Sequence, residues 1–504
     1  MLVFRLIPCS CLVFSALLIC PLLPAHAKDK GRDVEQVPRD VAQAFKQAKV
    51  PLNAVSILIT PVSSGTQAPP TTSKPRLSYR AQAEVNPASV MKLITTVAGL
   101  SLLGPEFTWR NRVWVDGPIK EGVLQGNLYL KGSGDPKLVV ERLQSLLEEV
   151  MAKGIKEVRG DIVLDGSVFE LPPKNAASFD DEPLRPYNVA PQGLLLNFNA
   201  LLFKFTPDAS KGEAKVESEP PLAGVQRPLS VPMSNSPCID WRSQLRADFS
   251  SPNVIRFNGA YPSTCGEQQW PVAFIEPTSF AVRMVQAMWQ QAGGKLKGQV
   301  REGALPLQAR LWHEAASLPL SDIVADINKF SNNVMAQQLF LTLSSQQGPG
   351  NFEASRQIVL RWWQQKLPAQ ALPVIDNGSG LSREERSNAL ALGALLQWAA
   401  NSNFFSALQN SLAIAGVDGT VSRLKDRLPN SVAIGRARLK SGSLRDVASL
   451  AGYVEGLSGQ RYVFVVLINH PNANAARPAF DKLLEWTVKD QKKSEARVVV
   501  TPSP

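Results

Sequence analysis

Three short groups of polar residues, far apart along the chain, carry side chains capable of acyl transfer. In the first, Ser89-Val90-Met91-Lys92 sets a hydroxyl and an amine three residues apart at the start of a helical pattern. Residues at that spacing share one face of a helix, so the amine can reach the hydroxyl. The field at a helix N-terminus favours an alkoxide-like serine, and burial beside other cations would lower the lysine pKa enough for it to act as base. Alone, the pair also describes an ordinary helix start capped by Ser89. The second group, Ser331-Asn332-Asn333, falls inside a helical pattern. In a serine-lysine site Ser331 would relay protons and Asn333 would orient a substrate amide; in isolation the group reads equally as an exposed helix face. The third, Lys440-Ser441-Gly442-Ser443, ends a strand-like run rich in Arg and Leu. Its lysine and hydroxyl suit a carboxylate, and Gly442 would let a substrate backbone lie along the strand, although an edge-strand turn has the same composition. The chain order Ser-x-x-Lys, Ser-x-Asn, Lys-Ser/Thr-Gly makes the set specific for an active-site serine.

The elements that must position these groups are legible in outline. A helical pattern runs over 40–49 and an apolar strand over 54–62, and the helix opening at Ser89 is stopped near Leu103 by Gly104-Pro105. From Phe107 to about Gly303 the character is mainly β, with short runs at 112–115, 124–130, 161–164 and 254–258 and one clear helix at 137–153. Helical patterns follow at 278–293, 320–344, 353–366 and 387–400. Strands are expected at 433–440, 448–454 and 461–469, then a helix at about 476–489. Three strands joined by short turns make an antiparallel meander with helices on both sides, an α/β (α+β) arrangement. The polar tail, 491–504, reads as disordered.

Composition narrows the setting. The first 27 residues hold one cation, Arg5, an apolar stretch from Leu6 to Leu23, and Ala25-His26-Ala27 before Lys28. This is the pattern of a secretory signal peptide cleaved after Ala27, and Pro8, Pro21 and Pro24 disfavour its retention as a membrane anchor. Export to the periplasm is the expectation. Of 5 cysteines, Cys9, Cys11 and Cys20 lie in that leader; Cys238 and Cys265 remain, an even pair expected to form a disulfide in an oxidising compartment, with two free buried thiols the other reading. The formal net charge of +11 is spread along the chain. It suits an anionic wall polymer or a lipid surface, which leaves peripheral membrane contact open, and it falls far short of a nucleic-acid footprint. His313 and His470 are the histidines beyond the leader, without His-Glu-x-x-His or a Cys/His cluster, so no metal and no cofactor are expected.

Longer stretches sharpen the reading. Asn-Pro-Ala-Ser-Val-Met-Lys-Leu-Ile-Thr-Thr at 86–96, Leu-Leu-Gly-Pro-Glu-Phe at 102–107, Gly-Ser-Gly-Asp-Pro at 132–136, Asp-Asn-Gly-Ser-Gly-Leu-Ser-Arg at 376–383 and Gly-Val-Asp-Gly-Thr at 416–420 resemble the class C low-molecular-mass penicillin-binding proteins. These are D-alanyl-D-alanine carboxypeptidases and endopeptidases of the penicillin-binding protein 4 type. The resemblance implies a serine β-lactamase/transpeptidase-like domain, an antiparallel sheet flanked by helices, with mainly β inserted domains. The long separation of Ser89 from Ser331 agrees with such insertions, since ordinary loops are short. The division expected is a catalytic domain from 28–109 and 306–490, an inserted domain from 110–199 and 276–305, and a nested subdomain at 200–275 carrying both cysteines.

The resemblance also implies roles. Ser89 would attack the carbonyl between two D-alanines with Lys92 as base, and Ser331 would help pass the proton to the leaving D-Ala. The N–H groups of Ser89 and Ser443 would hold the oxyanion, while Lys440 and Ser441 would hold the terminal carboxylate. Arg383, with Leu381 beside it, is expected to read the polar end of the stem-peptide side chain together with an acid from the insertion, assigned to Asp165, with Glu170 the alternative. The implied partners are peptidoglycan peptides and β-lactams; oligomeric state is left open. Ser441 replaces the threonine of many members, and Asn469-His470-Pro471 has no functional reading. A β-lactamase or D-amino-acid esterase of the same fold and a silent wall-binding scaffold are the competing readings. No glutamate context clearly supplies a deacylation base, and a scaffold would have no need of Ser89, Lys92, Ser331, Asn333 and Lys440 together.

Overall fold

The structure, a computed structural model, describes residues 36–63 and 74–491. The expected leader and most of the tail lie outside the described residues. Among the described residues no helix is long and apolar enough to cross a membrane.

A six-stranded antiparallel sheet is assembled from the two ends of the described chain. Its strands are β1 (Val55–Pro61), β2 (Leu77–Tyr79), β3 (Ala413–Ile414), β4 (Ala437–Leu444), β5 (Val447–Glu455) and β6 (Arg461–Asn469), in the order β3-β4-β5-β6-β1-β2. The central strands β5 and β6 are buried almost throughout. Side chains alternate between faces along a strand, so a strand covered on both sides must be apolar at successive positions. In β6, Val463, Val465 and Leu467 enter one core while Phe464, Val466 and Ile468 enter the other.

The first core is covered by α2 (Lys92–Leu103), α3 (Leu320–Phe330), α4 (Asn333–Ser345) and α5 (Ala389–Ala400); the second by α1 (Arg39–Gln47) and α6 (Arg477–Val488). Helix α2 is buried at every position from Lys92 to Leu100. A helix surrounded on all sides must be apolar around its circumference, which leaves the one cation of its first turn, Lys92, inside the protein.

Between β2 and α3 the chain builds four further sheets. The strand 310–316 pairs antiparallel with 110–115 and so carries this β region past residue 305. The run expected over 124–130 divides between two sheets, as 123–124 and 128–131, and that over 254–258 shortens to Arg256–Phe257. One cluster of buried side chains runs from Val113 to Val300 and includes residues on both sides of 200 and 275. Cys265, a member of that cluster, forms a disulfide with the exposed Cys238, their Cα atoms 5.0 Å apart.

Two differences from the sequence expectation bear on chemistry. The helical pattern over 320–344 breaks into α3 and α4, because Ser331 adopts a left-handed conformation, φ 59°, and Asn332 caps α4 by accepting the Met335 N–H at 3.1 Å. Strand β4 also begins and ends later than expected, so Lys440 to Ser443 lie within it rather than at its terminus.

Candidate active site

Ser89 sits in a 3-10 turn, Ala88–Met91, leading into α2. The preceding Ala88 has φ 47°, a sparsely populated conformation for a residue with a Cβ, and its N–H donates to Asn86 Oδ1 at 2.8 Å. Asn86 is itself clamped. Its N–H donates to Asn469 Oδ1 at 2.8 Å, its carbonyl accepts from Asn469 Nδ2 at 2.9 Å, and its own Nδ2 donates to the Ser382 carbonyl at 2.8 Å. Asn469 thus has a structural role that the sequence did not disclose: it ties the turn carrying Ser89 to the end of β6.

Lys92 Nζ, fully buried, donates to Ser89 Oγ at 3.1 Å, to Asn333 Oδ1 at 2.6 Å and to the Ser379 carbonyl. Burial lowers its pKa to about 7, against a raising influence from the carboxylate of Glu385. Near neutrality the amine therefore exists in both forms, as a general base requires. Glu385, equally buried, is pushed up to about 7 by burial, while N–H groups of Gly378, Asn377 and Asp376 donate to its Oε1 at 3.0, 3.1 and 3.2 Å and oppose that rise. Those bonds shape the loop that presents the Ser379 carbonyl to Lys92. Nothing in the sequence separated Glu385 from its exposed neighbour Glu384; only burial does.

The break at Ser331 turns two polar side chains toward the cleft. Asn333 reaches Lys92, and its Nδ2 donates to the Tyr187 carbonyl at 3.1 Å, so the β region contributes to the wall of the site. Ser331 Oγ accepts from Lys440 Nζ at 2.8 Å. Lys440 is fully buried, also donates to the Ser441 carbonyl at 2.7 Å, and has its pKa depressed by burial and then by the charge of Lys92.

Strand β4 closes the cleft. The short β3 pairs only with Arg438 and Leu439, so among the described residues no strand borders that edge of β4 from Lys440 onward. A Cβ on Gly442 would stand 2.8 Å from the Pro87 carbonyl oxygen and 2.9 Å from the Ser89 nitrogen, and would collide with Ser449 Oγ. Glycine there lets strand and nucleophile turn lie in contact. Ser441 Oγ bonds Thr420 Oγ1 at 2.7 Å, and Ser443 Oγ accepts from Arg477 Nη2 at 2.7 Å. Thr420 ends the stretch 416–420 quoted above, where it was given no role, and Arg477 was not singled out from the sequence. Ser89, Ser331, Ser441 and Ser443 open into one cavity of about 650 Å³.

The remaining candidates are not among the residues lining that cavity. Arg383 is ion-paired with Asp446 at 2.9 Å and stacked over the Phe179 ring, with half-buried Leu381 in the adjoining turn. Asp165 closes the strand Ile162–Asp165 of the β insertion. It is 2 % exposed, its two oxygens accept the Ser167 and Leu305 N–H groups, each at 2.8 Å, and Lys131 Nζ lies 3.9 Å from Oδ2. Glu170 lies just beyond that strand, where its N–H donates to the Gly350 carbonyl. Among the described residues no cluster of His, Cys, Asp or Glu could hold a metal ion.

Known proteins supply the context. The chain is 27% identical over 384 residues to D-alanyl-D-alanine carboxypeptidase DacB of Haemophilus influenzae, covering 76% of this chain and 80% of the relative. It is 28% identical over 407 residues to the D-alanyl-D-alanine carboxypeptidase of Actinomadura sp. strain R39, covering 76% and 73%. Its fold resembles the crystal structure of penicillin binding protein 4 from H. influenzae, with a TM-score of 0.69 at 24% identity over 88% of this chain and 99% of that one. The profile of the D-Ala-D-Ala carboxypeptidase 3 (S13) family matches residues 40–489. The chain belongs to that family, and it is a serine-type D-Ala-D-Ala carboxypeptidase.

Proposed function

We propose that Ser89 is the residue acylated, that Lys92 is its base, and that the same site cleaves D-Ala-D-Ala termini and D-Ala-linked crosslinks in exported peptidoglycan. The observation that carries this reading is the buried Lys92 amine, held between Ser89 Oγ and Asn333 Oδ1. Neutral Lys92 takes the Ser89 proton as Oγ attacks the D-Ala carbonyl. The oxyanion lies between the N–H groups of Ser89 and Ser443, because preorganised donors contribute most where charge develops. As the C–N bond breaks, the proton passes through the Ser331–Lys440 pair to the leaving amine. Water then attacks the ester; its hydroxyl stays on the D-Ala carbonyl and its proton returns to Ser89 Oγ. Ser441 and Lys440 face the terminal carboxylate, and Arg383 with Leu381 borders the acyl-side stem peptide. β-Lactams mimic the dipeptide and would be held as the Ser89 ester. The chain expected after Ala27 works in the periplasm as a catalytic body interrupted by a β insertion.

The test is intact-protein mass spectrometry after exposure to benzylpenicillin, with Ser89→Ala alongside. A persistent adduct that maps to Ser89 and is missing from the variant supports the reading. An adduct elsewhere, rapid drug turnover without accumulation, or no reaction would each overturn it.

A further inference from the structure

The cavity at Ser89 does not end at the residues that acyl transfer needs. Beyond Ser441 and Ser443 it continues between β4 and α6, over an apolar floor that includes Leu424, Phe480 and Leu484. Arg423, Arg427 and Arg477 line this extension. One carboxylate among the lining residues answers them: Asp481, 3 % exposed, takes both guanidinium bonds of Arg427, at 2.6 and 2.8 Å. Asp426 and Lys425 turn into a separate depression on the other side of the segment. Arg477 donates to Ser443 Oγ, and the neighbouring guanidiniums of Arg427 and Arg423 help burial lower its pKa. With three guanidiniums to the single lining carboxylate of Asp481, which also acts on Arg477, an excess of positive charge remains in a concave, partly apolar space continuous with the nucleophile.

The direction of this extension identifies what would occupy it. A substrate acylating Ser89 directs its terminal carboxylate toward Ser441, whose hydroxyl is bonded to Thr420. Thr420, Ser422 and Arg423 all line the cavity next to that position, and Arg477 donates to Ser443 on the same strand. The extension therefore lies on the leaving-group side. Free D-Ala would fill only its mouth. A leaving amino acid whose side chain continues into a second stem peptide would carry additional carboxylates into it, and guanidinium groups bind carboxylates with directional, charge-assisted bonds.

We propose that Arg423 and Arg477, with Arg427 held in place by Asp481, form an anion-binding subsite for a second carboxylate on the leaving half of a crosslinked stem-peptide dimer. This rests on the Ser89 reading above and assigns the site a substrate preference: crosslinks bearing free carboxylates over monomeric D-Ala-D-Ala termini. The subsite binds and orients the leaving half; the bonds made and broken at Ser89 are unchanged.

The test compares kcat/KM for three substrates: a monomeric pentapeptide, a crosslinked dimer with free carboxylates on its leaving half, and the same dimer with those carboxylates amidated. Wild type should prefer the free-acid dimer to the amidated one by about tenfold. Arg423→Glu, a change at an exposed side chain, should abolish that preference, chiefly through KM, and Arg423→Lys should restore most of it. Equal cleavage of the two dimers by wild type, or a preference that survives Arg423→Glu, overturns the subsite. If either result comes from an enzyme that still cleaves the pentapeptide and still carries a penicillin adduct at Ser89, the subsite alone fails. A wild type that lacks the adduct and cleaves none of the substrates removes the Ser89 reading, and the subsite with it.

Discussion

The state of Lys92 sets how acylation depends on pH. With a pKa of about 7, the amine is neutral in about 9 % of molecules at pH 6 and about 91 % at pH 8 by ordinary titration arithmetic. If the neutral amine takes the Ser89 proton, the second-order rate of acylation by benzylpenicillin should rise about tenfold between those pH values and level off above about pH 8. A lysine left at its usual 10.5 would give about a hundredfold rise over the same interval with no plateau. The two cases are separable by stopped-flow or a chromogenic β-lactam from pH 5.5 to 9.5. A companion variant tests the cause. The carboxylate of Glu385 raises the Lys92 pKa, so Glu385→Gln should move the ascending limb to lower pH. A limb that climbs about tenfold per unit past pH 9, or that moves upward in Glu385→Gln, would refute Lys92 as the buried, depressed base.

Further expectations follow from individual contacts. Asn333→Ala removes an acceptor from the buried Lys92 ammonium; a hydrogen bond to a charged group contributes about 1.5–3 kcal/mol, so acylation should slow by roughly ten- to a hundredfold, measured with the same β-lactam. Gly442→Ala drives a methyl against Pro87, Ser89 and Ser449; overpacking of this kind costs about 1–3 kcal/mol and should lower both the melting temperature and the acylation rate, whereas unchanged acylation would show that the strand need not touch the nucleophile turn. Reduction of Cys238–Cys265, which closes a separation of 27 residues, should lower stability by about 3.5 kcal/mol from chain entropy, while the penicillin adduct still forms in the folded fraction. Differential scanning calorimetry with and without reductant reads the first effect, and mass spectrometry the second.

Much of the fold was legible because its elements obey local rules. The strand 461–469 was read with its observed bounds, since a run buried on both faces is apolar throughout. The helix 389–400 was two residues shorter than expected because Asn388 caps it, accepting the Ala391 N–H at 2.8 Å. The pattern over 320–344 misled for a physical reason. Apolar periodicity persists through α3 and α4, and the break depends on one left-handed residue, Ser331, whose conformation is fixed by what it faces rather than by its type. Asp165 shows the same dependence on distant segments: its oxygens accept from the N–H groups of Ser167 and of Leu305, the latter 140 residues along the chain.

The reaction class could be read from residue types alone. A hydroxyl, two amines and a carboxamide at characteristic local spacings name serine acyl transfer, because each group's chemistry belongs to its residue type. The sequence also determined that a largely β segment separates the first of these groups from the others. Tertiary structure alone decided the protonation chemistry and the shape of the site. The pKa of Lys92 depends on burial inside α2 and on Glu385, which lies far from it along the chain. The Asn86–Asn469 clamp joins residues separated by 383 positions. The three arginines beyond Ser441 are scattered surface cations in the sequence and line one cavity in the fold. Desolvation, close approach and electric field depend on distances between segments remote in the chain, and no local pattern of residue types encodes those distances.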